Sequence, residues 1–467
     1  MTRRPICRTL FHLLAGALIL PGLLSAGERT DIKGIGMART YAASTYGLDA
    51  AGVNPANLLG GGQSYLIQFG LAKVGMHVGS DFLTYDLYEK YFTGIETDSG
   101  RVGRYLGDAE KQEILDGFPD GVGTIAADAE VRPIGLMLNL GSGALALTVT
   151  ERVASTATIP REYADFLFYG NTPGSAYDFS QTHMAGSWTR EYGLTYAMPL
   201  PGLGPVSDVT AGIGLKLVHG YAYAEVDRFN TSLITSTTGV LTGTLDVHAR
   251  TSCIDALTDS YDGSFDPFPA PAGTGIGFDL GMAGSLTEYM RVGVSVTDIG
   301  SINWTRNVEE ISADSTLVVS DPLDPEQSSG VEDAVNGESR PGPEFATSLP
   351  SMLRIGVAAD LHKLPFFRSF LPGELLVAAD YSQGLVETAG STLTPRFSLG
   401  MEWRPLPFLP VRTGVSFGGT DHYNWAFGFG FHFGLFDIDL ATENVSWLFA
   451  TRGTSYGSAA VGMRLNF

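Results

Sequence analysis

Strict alternation of apolar residues with small or polar ones recurs along this chain, in runs of about nine to eleven residues. The clearest run is 423–433, where every second residue from Tyr423 onward is aromatic and the residues between are small or polar. A tilted strand needs about that length to cross a bilayer. In a soluble sandwich the aromatic face would be core, so the number and order of the strands decide between the two classes.

Runs of this kind predict fourteen strands, at residues 65–77, 134–140, 145–151, 190–198, 209–219, 275–284, 290–298, 353–360, 374–382, 396–404, 411–418, 423–433, 435–442 and 456–467. Their connections alternate between short turns, as at 141–143, and mostly longer polar segments, as at 80–133. This asymmetry and an even strand number are typical of bacterial outer-membrane barrels. Residues 240–249 alternate weakly and are assigned to an extracellular loop; counting them and one more strand would give sixteen.

The predicted fold is therefore an all-β transmembrane antiparallel barrel of about fourteen strands, over residues 63–467. Apolar side chains face outward, as Leu399 and Trp403 do in one strand, while the opposite faces carry small, polar and charged residues. Inward charges include Arg190, Arg291 and Asp380. The candidates for lining the lumen are Arg354, Arg396, Glu402, Arg412, Asp437 and Asp439. These ions either line a polar passage or only pair with each other to hold the wall.

The N-terminus predicts export. Arg3, Arg4 and Arg8 precede an apolar run at 10–24, and small residues follow up to Gly27. This is the pattern of a secretory signal peptide, predicted over residues 1–27. A membrane anchor is the alternative, but it needs about 20 continuous apolar residues, and Pro21 with Gly22 interrupts this run.

Several classes of function are disfavoured. The formal charge of −21 has the wrong sign for a nucleic-acid binder. Cys253 is the lone cysteine after the predicted signal peptide, and no Cys/His cluster indicates a metal site or cofactor. Gly414–Gly418 matches the G-x-S-x-G pattern of hydrolases, but it lies inside an alternating strand rather than a strand-to-helix turn. We therefore expect no catalysis.

Residues 28–62, ahead of the first strand, are rich in small side chains. The segment has a Gly-Met-Ala opening, an Asp-Ala step and an Asn-Pro-Ala-x-Leu motif. These matches are Gly36, Met37, Asp49, Ala50, Asn54, Pro55, Ala56 and Leu58. The pattern resembles the N-terminus of the FadL family of outer-membrane transporters of hydrophobic compounds and of related barrels, including the PorV type. The rest of the chain resembles an uncharacterised branch of this group.

The resemblance implies that residues 28–62 fold into the lumen as a hatch, with Asp49, Asn54, Pro55 and Ala56 as gating candidates; a periplasmic tail is the alternative. It implies passive transport of hydrophobic or amphipathic molecules such as fatty acids. A PorV-like role in binding secretion cargo or surface-assembly partners remains the alternative function. A soluble exported sandwich is a third hypothesis.

The expected location is the outer membrane of a Gram-negative cell. Residues 459–467 alternate and end on Phe467. They resemble the terminal strand by which outer-membrane proteins are recognised for insertion. The expected partners are therefore outer-membrane lipid and lipopolysaccharide, the barrel-insertion machinery and a hydrophobic small-molecule ligand.

Overall fold

A computed structural model describes residues 29–60, 65–97, 100–253, 269–321, 327, 329–331, 334, 337–420, 422–449 and 454–467. Within this part of the chain, fourteen antiparallel strands form a closed ring. They are β1 Ile67–Ser80, β2 Val122–Asn139, β3 Ala144–Pro160, β4 His183–Pro199, β5 Ser207–Phe229, β6 Gly273–Ser285, β7 Met290–Trp304, β8 Met352–Asp360, β9 Glu374–Gly384, β10 Arg396–Leu406, β11 Leu409–Gly418, β12 Tyr423–His432, β13 Phe436–Thr442 and β14 Tyr456–Asn466.

The ring closes between its first and last strands. Each strand pairs with the next one along the chain, and β1 also pairs with β14, from Gln68 opposite Asn466 to Gly79 opposite Tyr456. Closure leaves every ring strand with two neighbours. The backbone N–H and C=O groups of each strand can therefore form hydrogen bonds with these neighbours instead of with water. The fourteen-strand barrel predicted from the alternation is thus confirmed, with every predicted strand in its place.

Short turns join the strands at one end of the barrel, for example residues 140–143 between β2 and β3. Both ends of the ring lie at this same end, where the backbone N–H of Leu66 donates to the carbonyl of Phe467 at 2.8 Å. Longer connections, such as residues 81–121, lie at the other end. By the usual asymmetry of these barrels, the short-turn end is periplasmic and the other extracellular.

The two faces of the strands differ as predicted. In β12, Tyr423 and Trp425 are exposed on the outer face, whereas Asn424 and Ala426 are buried on the inner face. An apolar exterior around a polar interior is the arrangement of a membrane-spanning barrel. The protein is accordingly an outer-membrane β-barrel.

Arg190 is placed differently from the prediction. It pairs with Glu151 across the β3–β4 ladder, and the residue after it, Glu191, contacts Arg29 in the interior. Because successive side chains of a strand point to opposite faces, Arg190 lies on the outer face, 5.2 Å from the ring of Tyr221. An ion pair is tolerated on the outer wall close to the membrane boundary, so polarity alone misassigns such a residue.

Several strands extend beyond the predicted limits at the extracellular end. Strand β2 begins at Val122, although the alternation indicated residue 134, and β5 spans 23 residues. Residues Leu241–Ser252, which include most of the weakly alternating run, pair with the outer end of β5 and with Val308–Val319 rather than joining the ring. Away from lipid the outer face is not restricted to apolar side chains, so the alternation fades there.

Short strands, helices and 3₁₀ turns lie outside the fourteen ring strands. Short strands lie at Ile95–Thr97, Gly100–Val102, Ala176–Asp178, Ser232–Thr235, Glu338–Pro341 and Phe345–Ser348. Helices lie at Ile32–Gly36 (α1), Tyr85–Phe92 (α2), Asp108–Leu115 (α3), Glu162–Tyr169 (α4), Pro365–Phe370 (α5) and Ser446–Phe449 (α6), with 3₁₀ turns at Gly47–Ala50, Pro55–Leu58, Pro119–Gly121 and Leu361–Lys363.

None of the helices in the described residues is both long enough and apolar enough to cross a membrane. The predicted signal peptide, residues 1–27, lies outside the described residues.

Candidate functional site: the lumen and its N-terminal segment

Residues 29–60, called here the N-terminal segment, are almost entirely buried among the inward-facing side chains of the ring. Asp31 caps the start of helix α1, and its carboxylate accepts a hydrogen bond from the backbone N–H of Gly34 at 2.9 Å. The helix packs against β11 to β14, whereas the turn Pro55–Leu58 packs against β3 to β6. The segment therefore contacts both sides of the ring.

Inward glycines of the strands make room for this segment. A Cβ atom added to Gly428 of β12 would lie 3.1 Å from the Cα of Gly36, and one added to Gly414 of β11 would lie 2.5 Å from the carbonyl carbon of Met37. Any larger inward side chain at these positions would meet backbone. Part of the high glycine content, 59 residues, is explained by this close approach.

The Asn-Pro-Ala motif holds the end of the segment. Asn54 is fully buried; its side-chain oxygen accepts from the N–H of Ala56 at 3.2 Å, and its amide donates to the carbonyl of Ala42 at 2.9 Å. Pro55 stands at the first position of the 3₁₀ turn, where its missing N–H costs nothing. Gly281 of β6 lies directly against Asn54 and Pro55.

A charged layer lies on the extracellular side of the segment. The guanidinium of Arg29 contacts Asp298 at 2.5 Å and Glu191 at 2.7 Å, with Glu130 at 3.6 Å. Lys216 of β5 bridges Asp279 at 2.7 Å and the same Asp298 at 2.5 Å. All of these side chains are buried, so their attraction is weakly screened by water. The start of the segment is thus tied to three strands, β2, β4 and β7.

A second charged layer faces the periplasm. Asp49 pairs with Lys73 of β1 at 3.0 Å and with Arg464 of β14, which also contacts Asp437 at 2.8 Å. Asp49 itself lies outside the membrane-spanning strands. Burial alone would raise its pKa, but Lys73 and Arg464 outweigh burial and lower the pKa of Asp49 to about 2.

The same layer continues around the wall. Arg412 contacts Glu402 and Asp439, each at 2.6 Å, and Lys33 of helix α1 lies 3.3 Å from Glu402. Glu402 thus joins the segment to β10 and β11.

Backbone groups of the segment are held as well. Asp380 of β9 accepts hydrogen bonds from the N–H groups of Tyr41 and Ala42 at 2.8 and 2.7 Å. Arg354 of β8 lies 5.4 Å from the centre of the Tyr41 ring and donates to Thr297 at 2.8 Å. Arg396 is buried on the inner face of β10 beside Gly419. All six predicted lumen-lining residues thus lie on the inner wall, and most of them contact the segment or each other.

A cavity of about 810 Å³ opens between the N-terminal segment and the periplasmic turns. We call it the periplasmic cavity. Its wall is largely polar, but Leu48, Leu58, Leu59 and Met137 form an apolar side. Arg291 of β7 and Tyr46 of the segment also line it, with the guanidinium carbon 5.7 Å from the ring centre.

An aromatic group lies at the extracellular end of the inner wall. Trp304 is fully buried, and its ring centre lies 5.2 Å from that of Tyr223. The ring centre of Phe345 lies 5.5 Å from that of Tyr223. The guanidinium carbon of Arg250 lies over the Phe345 ring, 5.1 Å from its centre. The Trp304 indole N–H donates to Thr347 at 2.8 Å, which satisfies its polar atom. The upper interior is therefore more apolar than the layers beneath it.

A sequence model of a family of unknown function, DUF5723, matches residues 55–443. The chain belongs to this family. The match runs from the Asn-Pro-Ala motif to the residue after β13, so it covers most of the barrel of this DUF5723 member and leaves most of the N-terminal segment outside. No curated protein shows significant similarity to the chain.

Solved structures share the architecture at low sequence identity. The deltaS2S3 mutant of the monoaromatic hydrocarbon channel TodX is 12% identical, covers 94% of this chain and 98% of its own, and superimposes with a TM-score of 0.50. The Ralstonia pickettii toluene transporter TbuX is 14% identical over 94% and 99% of the two chains, with a TM-score of 0.46. A Pseudomonas aeruginosa FadL homologue is 13% identical over 96% and 99%, with a TM-score of 0.44.

Important members of the charged layers are absent from the predicted candidates. Lys216 falls within a predicted strand as an inward charge, so the alternation could have identified it. Glu130 precedes the predicted start of its strand, and Arg29 has no local signal at all. Among the described residues, no group of three or more His, Cys, Asp or Glu side chains could hold a metal ion.

Proposed function

We propose that this DUF5723 barrel passes hydrophobic or amphipathic small molecules, such as fatty acids, passively across the outer membrane, with residues 28–62 as its hatch. The observation that carries the proposal is the N-terminal segment, which is buried inside a closed ring and tied to strands on both sides. A lumen occupied in this way is not an open pore for polar solutes. Passage requires the segment to rearrange.

The aromatic group at the extracellular end supports an apolar solute. Tyr223 and Phe345, which pack around the buried Trp304, offer ring surface where a solute would enter, and such surface favours apolar molecules over hydrated ones. The TodX mutant of similar fold is named as a channel for monoaromatic hydrocarbons, which is compatible with this class. The charged layers beneath hold the segment in place.

The test is uptake into proteoliposomes. Purified protein, with and without residues 28–62, is supplied with a labelled long-chain fatty acid and, separately, a small polar solute. We expect selective fatty-acid flux through the complete protein, and leakage of the polar solute only after deletion. Absence of flux in both forms would refute the transport proposal.

A second candidate function, binding of a secretion or surface-assembly partner, is favoured by the extracellular loops. Helix α2 exposes Tyr85, Tyr88 and Phe92 by about half, and Tyr105 is fully exposed. Exposed aromatic residues of this kind mark interaction surfaces more often than isolated exposed side chains do. Co-purification from intact outer membrane, with the Tyr88→Ser/Phe92→Ser variant as control, tests this role. A protein that co-purifies with the wild type but not with the variant would support the partner-binding role.

A further inference from the structure

Arg291 differs from the other cations of the periplasmic cavity in having neither a carboxylate nor a hydrogen-bond acceptor against its guanidinium within the described residues. Arg132, which also has no ion pair there, donates instead to the carbonyls of Leu48 and Ala51 at 3.5 and 3.1 Å. Lys73 and Arg464 pair with Asp49, Lys33 and Arg404 pair with Glu402 at 3.3 and 3.1 Å, and Lys363 pairs with Asp360 at 3.5 Å. Arg412 is shared between two carboxylates. Within the described residues, no carboxylate lies within 4.0 Å of the Arg291 guanidinium.

Two of the donor atoms of Arg291 are unsatisfied. Its Nε and Nη2 are buried and have no hydrogen-bond partner in the described part of the chain. Its contact is instead with the ring of Tyr46, and Nη2 stands close to Gly60, where an added Cβ would lie 3.6 Å away. A guanidinium keeps its charge in any protein environment. Arg291 therefore cannot become neutral by losing a proton, and its charge stays buried without a hydrogen-bond acceptor at these two atoms among the described residues.

Two cations of the cavity lie near the ring of Tyr46. Around Tyr46, Lys33 lies 6.0 Å and Arg291 5.7 Å from the ring centre. Glu402, the carboxylate paired with Lys33, is shared with Arg404 and Arg412. Asp360, another carboxylate of this cavity, pairs with Lys363 at 3.5 Å. Both carboxylates are thus engaged by other cations, and the charge of Arg291 has no direct partner in the part of the chain that the structure describes.

The cavity also fits an apolar tail. Its volume of about 810 Å³ is within the range of small-molecule sites. Leu48, Leu58 and Leu59 line the same space as Arg291. An anionic group at the guanidinium and a hydrocarbon chain along these leucines would use both kinds of surface.

We propose that Arg291 binds the carboxylate of an amphipathic small molecule in the periplasmic cavity. The planar fork of the guanidinium matches a carboxylate by two parallel hydrogen bonds. The proposal deepens the transport function and rests on it for the natural ligand, which would occupy this site after passing the N-terminal segment. A carboxylate at Arg291 also competes with the Tyr46 ring, one of the contacts that hold the segment.

The test is calorimetric titration of the full-length barrel in nanodiscs with octanoate and, as a matched uncharged probe, 1-octanol. We expect octanoate to bind at least about tenfold more tightly than 1-octanol, which is the effect of a charged hydrogen bond. Arg291→Gln is expected to weaken the binding of octanoate by a similar factor and to leave the affinity for 1-octanol unchanged. Arg291→Lys, which keeps the charge but not the fork, is expected to fall between the two.

Lys363→Gln is the matched control, because it removes one positive charge from the same cavity at a residue that already has a carboxylate partner. Its octanoate affinity is expected to stay within about twofold of the wild type, as for an exposed pair. Folding of each variant is checked by the mobility of the unheated protein on a denaturing gel. Equal losses in Arg291→Gln and Lys363→Gln, or no preference for octanoate over 1-octanol, would overturn the site.

The outcomes separate this site from the transport proposal. Octanoate binding that depends on Arg291, together with no fatty-acid flux in proteoliposomes, supports the site and contradicts transport. Fatty-acid flux without Arg291-dependent binding contradicts the site and leaves transport standing.

Discussion

Gly36 in helix α1 and Gly428 in strand β12 meet backbone to backbone: a Cβ on either residue would lie 3.1 Å from the Cα of the other. The N-terminal segment and the barrel wall are therefore matched in shape at a point where neither has a side chain. This contact, rather than an ion pair, sets how close the segment can come to the wall.

Enlarging the wall at this point should displace the segment. Gly428→Val is expected to cost about 1–3 kcal/mol of packing between segment and wall, as overpacking commonly does. The barrel itself should still fold, while trypsin gains access to Lys33 and Arg39. Gly186→Val in β4 is the control, since its nearest neighbour atom would lie 3.6 Å away. Equal trypsin resistance in both variants would contradict the close fit.

Removing the Asp49 carboxylate should loosen the same segment for an electrostatic reason. Asp49→Asn removes the carboxylate that pairs with Lys73, whereas Arg464 keeps its pair with Asp437. An uncompensated buried charge costs about 3–5 kcal/mol, so we expect polar-solute leakage through reconstituted protein. The exposed pair of Arg228 and Asp246 provides the comparison, because Asp246→Asn should cost at most about 1 kcal/mol. Leakage that is the same in both variants would show that Asp49 does not hold the segment.

Acidification should act through Asp49 as well. Its pKa in the folded protein is about 2, below the value of about 3.9 expected in an unfolded chain. The stabilisation is therefore complete above about pH 4 and is lost as the pH falls towards 2. We expect the difference in leakage between wild type and Asp49→Asn to be constant above about pH 5 and to shrink below pH 4. A difference that persists at pH 2 would contradict this assignment.

A reversible cross-link can show whether the segment must move. A Cβ on Gly75 would lie 3.1 Å from the Cβ of Thr30, and disulfides need about 3.5–4.5 Å, so Thr30→Cys/Gly75→Cys should bond after a small shift. In a Cys253→Ser background, we expect the oxidised protein to lose fatty-acid flux and the reduced protein to recover it. Flux that is unaffected by oxidation would mean that this end of the segment stays in place during passage.

The strands were predictable where they cross the membrane and less so beyond it. Within the bilayer, lipid outside and a polar interior impose a strict alternation, as between Trp425 and Asn424 in β12. Above it, β2 continues for twelve residues ahead of its predicted start at 134, because neither face there is restricted to apolar side chains. The glycines of the inner wall were visible in the sequence, but their purpose became apparent only with the segment beside them.

The sequence by itself determined the number of strands, the order of short turns and long loops, and the lipid-facing side of most strands. Each of these follows from a local pattern repeated over the thickness of a bilayer. Only the tertiary structure decided which charges meet, because partners such as Arg39 and Glu443 stand 404 residues apart. It also decided that Arg291, one inward arginine among several, has no carboxylate partner among the described residues. Pairing inside a closed barrel depends on register and on the seating of the segment, and no local pattern encodes either.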